Sequence, residues 1–356
     1  MTRIQRIAVL CAAVAALSGC AVPFYWQAIG GQLELLRKRT PIEKLIDDPS
    51  VDPALKASLG TVAAIRRFAV DDLGLPDNDS YTTYVSLDRS YVVWNVVAAD
   101  EFSVEPKRSC FPFAGCVAYR GFFSREAAER FERELAAQGL DTNSGGSSAY
   151  STLGYFNDPV LSTMINGGEQ YVASLLFHEL AHQKLYVKDD SEFSEAFAMV
   201  VEEFGTERWL VAKALPADLE RYRLRRQRRA DFGELIAAQQ ARLRLVYESS
   251  DSPEGKRAAK AQAFVALQAA YGALKQRWGG SNDYDAWFAQ PLNNATLAAV
   301  ATYTRWVPAL RARLEDVGIE AFYAQAAALA DLDVEQRATR LLAWAPLQPA
   351  AAVQGR

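Results

Sequence analysis

From Tyr171 to about Trp344 apolar residues recur at helical spacing almost without pause, with one clear break at Gly279-Gly280-Ser281-Asn282-Asp283. The earlier part of the chain reads differently. Phe24 to Arg39 carries Leu33, Leu35 and Leu36 in a helical pattern, Pro41 opens a second helix with Ile42, Leu45 and Ile46, and Leu55 to Val70 reads as a third. Between Ser80 and Phe123 aromatic and β-branched residues take over, in the runs 81–87, 91–98 and 117–123. Asp88-Arg89-Ser90 supplies the first turn, and the pattern predicts a small antiparallel sheet. Ser124 caps a helix over Arg125 to Gln138 that has acidic residues in its first two turns. Asp141-Thr-Asn-Ser-Gly-Gly-Ser-Ser reads as a polar loop, and 150–161 as an extended strand before the next helix. The expected fold class is α+β, predominantly α-helical, with the small antiparallel sheet in the N-terminal half. Residues 20–170 hold the first helices and the sheet, and 171–356 the helical part. Together they read as one continuous domain, 20–356, without internal repeats.

The first nineteen residues are set apart as a signal peptide. Arg3 and Arg6 precede an apolar stretch from Ile7 to Leu17, too short to span a bilayer. Leu17-Ser18-Gly19-Cys20 resembles the lipobox of bacterial lipoproteins, which implies cleavage before Cys20 and acylation there; an ordinary secretory signal is the alternative. Ala21 stands where the lipoprotein rule places Asp for inner-membrane retention. The resemblance therefore implies lipid anchorage in the outer membrane, facing the periplasm of a Gram-negative bacterium. No later segment approaches eighteen uninterrupted apolar residues, so the lipid is the only membrane attachment expected.

Half the chain is apolar and 23% is charged, which points to a globular protein rather than a disordered one. A net charge of −4 gives no reason to expect nucleic-acid binding. The arginines from Arg221 to Arg229 accordingly read as a solvated helix face. Of four cysteines, Cys11 leaves with the signal and Cys20 is the lipid site. Cys110 and Cys116 remain, and in an oxidising compartment they form a disulfide closing a short loop; metal ligation is the rival.

The chain has two histidines, His178 and His182, and both lie in the run Phe177-His-Glu-Leu-Ala-His. On a helix, positions four apart share one face, so both imidazoles reach a single metal ion, while Glu179 addresses a water beside it. Tetrahedral zinc with one open position needs a third protein ligand. With no further histidine, that ligand must be Asp, Glu or Tyr. Phe193-Ser-Glu-Ala-Phe-Ala resembles the Asn-Glu-Gly-Phe-Ala run of gluzincin aminopeptidases, which implies Glu195. Ala196 and Ala198 let its helix approach closely, and Glu202, two turns along the same face, is placed to hold a ligand imidazole from behind.

These motifs, together with Tyr25-Trp26-Gln27, the Cys110–Cys116 loop, Gly154-Tyr-Phe-Asn-Asp-Pro and Asn293-Asn294-Ala, resemble a bacterial family of zinc aminopeptidases over the whole mature chain. The resemblance implies a zincin-like metallopeptidase acting on peptides, with Zn2+ held by His178, His182 and Glu195 and with Glu179 as general base. In zincins the strand before the metal helix pairs with the substrate backbone. The run 150–161 occupies that place, or is a plain connection. Two differences from the large gluzincins are evident: only twelve residues separate His182 from Glu195, and no Gly-Ala-Met-Glu-Asn run is present. The developing oxyanion needs a donor, and without a spare histidine it should be a tyrosine: Tyr303 first, then Tyr186 and Tyr155. The alternatives are a lipoprotein scaffold whose zinc is structural or whose activity has lapsed, and a zinc hydrolase of a non-peptide amide such as a cell-wall fragment.

Overall fold

The computed structural model describes residues 21–111 and 115–345. The expected signal peptide, Cys20 and the middle of the Cys110–Cys116 loop lie outside the described residues. Helices dominate, and three small sheets lie in the N-terminal half. Among the described residues no helix is long and apolar enough to cross a membrane.

The chain opens with α1 (Ala21–Lys38), β1 (Thr40–Pro41), α2 (Ile42–Asp47) and α3 (Pro53–Asp71). Asp52 caps α3 by accepting from the amides of Ala54 and Leu55, at 2.8 and 3.0 Å, and Pro53 takes the first turn. Leu59, Val62, Ile65 and Ala69 form its buried stripe. Next come β2 (Thr83–Val85), β3 (Val93–Ala99), the hairpin β4 (Ser109–Phe111) and β5 (Gly115–Val117), and β6 (Arg120–Phe122). Helix α4 (Arg125–Ala136), capped by Ser124, leads to β7 (Asp141–Ser147), β8 (Val160–Leu161) and the single turn α5 (Ser162–Ile165). The remainder is helical: α6 (Glu169–Lys184), α7 (Ser191–Ala212), α8 (Pro216–Glu248), α9 (Pro253–Arg277), α10 (Asp285–Phe288), α11 (Asn294–Thr304), α12 (Val307–Val317), α13 (Ile319–Ala330) and α14 (Val334–Trp344).

The β regions depart from the sequence expectation in three ways. First, 81–87 and 91–98 are not hairpin partners: β2 lies between β1 and β8, whereas β3 is the centre of a separate sheet, β6-β3-β7. The β2–β8 pairing is parallel, so its partner comes from far along the chain. Second, the Ser/Gly-rich run expected as a loop is β7, paired along the whole of β3 from Val93↔Ser147 to Ala99↔Asp141. Its intrinsic β propensity is poor, but the neighbours of this edge strand decide. Lys260 holds Asp141 at 2.6 Å, Asn293 donates to the Thr142 carbonyl at 2.8 Å, and Ser144 donates to Glu132 at 2.6 Å. Third, only Val160 and Leu161 of the 150–161 segment are strand. The rest folds around the buried Asp158 carboxylate, which accepts from the Thr152 amide at 3.0 Å and the Thr152 hydroxyl at 2.8 Å.

The main hydrophobic core runs from Leu35 to Leu341 and takes side chains from both halves of the chain. A second core joins α8, α9, α10 and α11 around Phe232, Leu267, Phe288 and Leu297. Helix α6 sits within the main core, burying Val172, Leu176, Phe177 and Leu180 and so exposing little of any face. Helix α7 crosses it closely because Gly205 has no side chain: a Cβ there would lie 2.6 Å from Leu73 and 2.8 Å from Phe177. Replacing Gly205 by valine gains about 1 kcal/mol or less in helix propensity, against roughly 2–3 kcal/mol of overpacking. Gly205→Val should therefore lower stability by about 2 kcal/mol, measured as a fall in the urea midpoint at unchanged m-value.

Candidate metal centre

The segment between α6 and α7 fixes how the two helices meet. Asp190 caps α7 by accepting from the Phe193 amide at 3.0 Å, and Arg337 holds its other oxygen. The Ser194 hydroxyl accepts from the Val187 amide at 3.0 Å and donates to the Asp190 carbonyl at 2.9 Å. This tight connection explains how twelve intervening residues suffice. The helices run antiparallel, so Glu195 meets the end of α6 that carries His182, while Glu202 stands beside His178.

Three donor atoms converge. His178 Nε2 and His182 Nε2 are 3.1 Å apart, and Glu195 Oε2 lies 3.3 Å from the first and 3.4 Å from the second. A tetrahedral ion with ligand bonds of 2.0–2.1 Å requires ligand atoms about 3.3 Å apart. The donors thus stand where one such ion needs them, and the mixed imidazole–carboxylate set suits a borderline divalent metal. His178, His182 and Glu195 form a group that could bind a metal ion.

Glu202 faces the other nitrogen of the His178 ring. Its Oε2 accepts from His178 Nδ1 at 3.1 Å, which orients the ring and turns Nε2 towards the centre. His182 Nδ1, by contrast, is buried without a hydrogen-bond partner among the described residues. Behind Glu202 the chain of charges continues. Arg229 donates to Glu202 at 3.5 Å and to Glu203 at 3.0 Å, and Arg311 donates to Glu203 at 2.9 Å. Arg229 belongs to the run read as a solvated helix face. It instead turns inward, because the acids of α7 need compensation there.

The electrostatics follow from burial and neighbours. Burial alone would push the Glu195 carboxyl up, but the facing imidazoles hold it down at about 2. Burial also works against Glu202, yet His178 and Arg229 keep it below its ordinary value. Desolvation would lower the His178 imidazole, but hydrogen bonds and charge from Glu195 and Glu202 carry it well above its usual range. A proton and a metal ion compete for that nitrogen, and the surroundings favour positive charge. Glu179 is different: burial raises its carboxyl, only partly offset by the two histidines.

Residues 23–341 match the family described as "Putative aminopeptidase". The chain belongs to that family. No curated protein and no solved structure gives a match. The aminopeptidase-family chain places its metal-ligand candidates on a cavity of about 340 Å³ that also takes in Glu179, Tyr303, Tyr186, Tyr119 and Tyr150. Of the three tyrosines expected as donors, Tyr303 and Tyr186 line it. Tyr155 is 62% exposed and does not. The negative charge of Glu195, followed by burial, raises the Tyr303 phenol well above its ordinary value, and burial pushes Tyr186 up to about 12. Both stay protonated and able to donate.

Sequence reasoning missed Tyr119, whose phenol is likewise raised by burial and by Glu195. It follows β5 in a run read only as strand. Also missed was Gln183, next to His182. Gln183 donates to Asp158 at 3.5 Å and accepts from Asn78 at 2.8 Å, tying the 150s loop to α6.

Replacing Glu202 with glutamine should weaken divalent-metal affinity by about 10–100-fold. Arg229→Gln should do so less, because it acts one bond further away. Competition against a chromophoric chelator measures both, and circular dichroism checks that the fold survives.

Proposed function

We propose that this chain is a zinc-dependent peptidase of the cell envelope that removes residues from the amino end of peptides. The observation that carries the reading is the convergence of His178, His182 and Glu195 within 3.4 Å of one another, with Glu179 buried on the same cavity. Membership of a family named for aminopeptidases supports the substrate class.

Zinc held by these three residues would supply Lewis acidity towards a scissile carbonyl and towards water. The chain's own groups do the rest. Glu202 keeps His178 oriented. Glu179 takes the proton of the attacking water and returns it to the leaving nitrogen, a task its raised carboxyl suits better than a strongly acidic one. The protonated Tyr303 phenol, on the same cavity, donates to the oxygen that gains negative charge, with Tyr186 as a second donor. The tight fold around Asp158 places Ser151 and Leu153 on the wall of the cleft.

The setting forms part of the same proposal. Cys20 carries the lipid and tethers the protein to the outer membrane, facing the periplasm. The Cys110–Cys116 disulfide across the β4–β5 pair is consistent with that oxidising compartment. Peptide is the partner, and nucleic acid is not.

Glu179→Gln should retain stoichiometric zinc but lose about 10²–10⁴-fold in hydrolysis of peptide amides. Retained activity would remove Glu179 from the mechanism. Tyr303→Phe should lower kcat by about 10²–10³-fold with little change in KM, separable from a structural defect by an unshifted thermal midpoint. Cys20→Ser should move the protein from the membrane to the soluble fraction of a Gram-negative host; unchanged fractionation would contradict lipid anchorage.

A further inference from the structure

The walls of the cavity carry information beyond the chemistry of its centre. Its lining is aromatic on several sides, from Phe24, Phe111, Phe123, Tyr119 and Tyr150. Its charged groups are those of the centre itself, Glu179 and Glu195 beside the two imidazoles. No lysine or arginine lines it among the described residues.

Helix α1 forms one wall, contributing Phe24, Tyr25 and Ala28. It can lie there because of Gly31: a Cβ at that position would sit 2.2 Å from the Phe123 ring, so any side chain would lift the helix away. The Gln27 side chain fixes the contact by accepting from the Phe123 amide at 2.8 Å. The Phe24 ring then meets Phe111 at 5.4 Å and Phe122 at 5.6 Å. Val93 and Asn95 of β3 and Gly121 of β6 add small or uncharged surface to the lining. A volume of about 340 Å³ is at the low end for a ligand pocket. It has room for one bulky residue with its adjoining peptide unit.

Building on the peptidase reading, we propose that this cavity is a specificity pocket for a bulky uncharged amino-terminal side chain, phenylalanine, tyrosine or leucine, and that it rejects acidic ones. Aromatic walls stabilise such a side chain by apolar burial and ring contacts. An aspartate or glutamate side chain would lose its hydration against these aromatic walls, with no lysine or arginine lining the cavity among the described residues to pair with it. A lysine side chain fares between the two: Glu195 is already engaged by both imidazoles, which leaves no free carboxylate but Glu179.

The test reads binding rather than turnover. The zinc-loaded mature chain carrying Glu179→Gln is titrated calorimetrically with Phe-Ala, Leu-Ala, Ala-Ala and Glu-Ala amides. Phe-Ala and Leu-Ala should bind at least about ten-fold more tightly than Ala-Ala. They should bind about a hundred-fold more tightly than Glu-Ala. Adding Ala28→Trp, which fills the pocket from α1, should abolish the advantage of Phe-Ala while leaving Ala-Ala within about three-fold. Adding Asn95→Lys instead should raise Glu-Ala affinity about ten-fold, which keeps the proposal testable should the tryptophan variant misfold. Equal affinities, a preference for Glu-Ala, or no binding of any of these peptides would overturn the proposal. If the selectivity holds but the unsubstituted zinc-loaded chain hydrolyses none of them, the peptidase reading fails and the pocket assignment stands.

Discussion

Buried charge has to be balanced, and that constraint organises this protein. Glu179, Glu195, Glu202 and Glu203 gather where α6 and α7 cross, against the two guanidiniums of Arg229 and Arg311. Four carboxylates face two fixed cations in a setting where unpaired charge costs several kcal/mol per ion, and the His178 imidazole, held well above its usual range by Glu195 and Glu202, supplies part of the balance. A divalent cation between His178, His182 and Glu195 would displace that imidazole's proton and supply the rest. The neighbouring chemistry would follow, because the ion would sit beside Glu179, the one of these four carboxylates that no arginine or ring nitrogen hydrogen-bonds among the described residues.

The fold serves the same centre. A helix that carries two histidines into a core must be buried on most sides, and α6 is packed by α3, α7 and the sheet elements around β2 and β8. Close approach of α7 rests on Gly205, and the Asp190–Ser194 turn sets where along α7 the glutamates stand. On the open side, α1, β3, β6 and the 150s loop enclose the cleft. Glu195, the His178–His182 run of α6 and the enclosing walls therefore come from separate stretches that only the tertiary fold unites.

How much of this the sequence revealed depends on the range of the contact involved. His178, Glu179 and His182 lie within one helical turn, so their shared face follows from local geometry alone. Glu195 was legible by elimination together with a motif, and Glu202 by its seven-residue spacing from it. Arg229 was not: its run of arginines has the look of a solvated face, and only the crossing of α8 with α7 shows that one of them meets buried acids. The Ser/Gly run at 141–147 looks like a loop because β propensity is a property of neighbours, and its neighbours, β3, Lys260 and Asn293, lie far off in sequence. Tyr119 and the wall formed by α1 were invisible for the same reason. Tyr155 looked equal to Tyr186 as a donor until the turn around Asp158 directed it outward.

The central claim is that both imidazoles and Glu195 grip a single divalent ion. Anomalous diffraction at the zinc absorption edge, from crystals of the mature chain, tests it most directly. The account predicts one strong peak bonded to His178 Nε2, His182 Nε2 and a Glu195 oxygen at about 2.0–2.2 Å, with Glu202 still on His178 Nδ1. A peak elsewhere, or a metal between the histidines with Glu195 turned away and no other protein oxygen in its place, would contradict it.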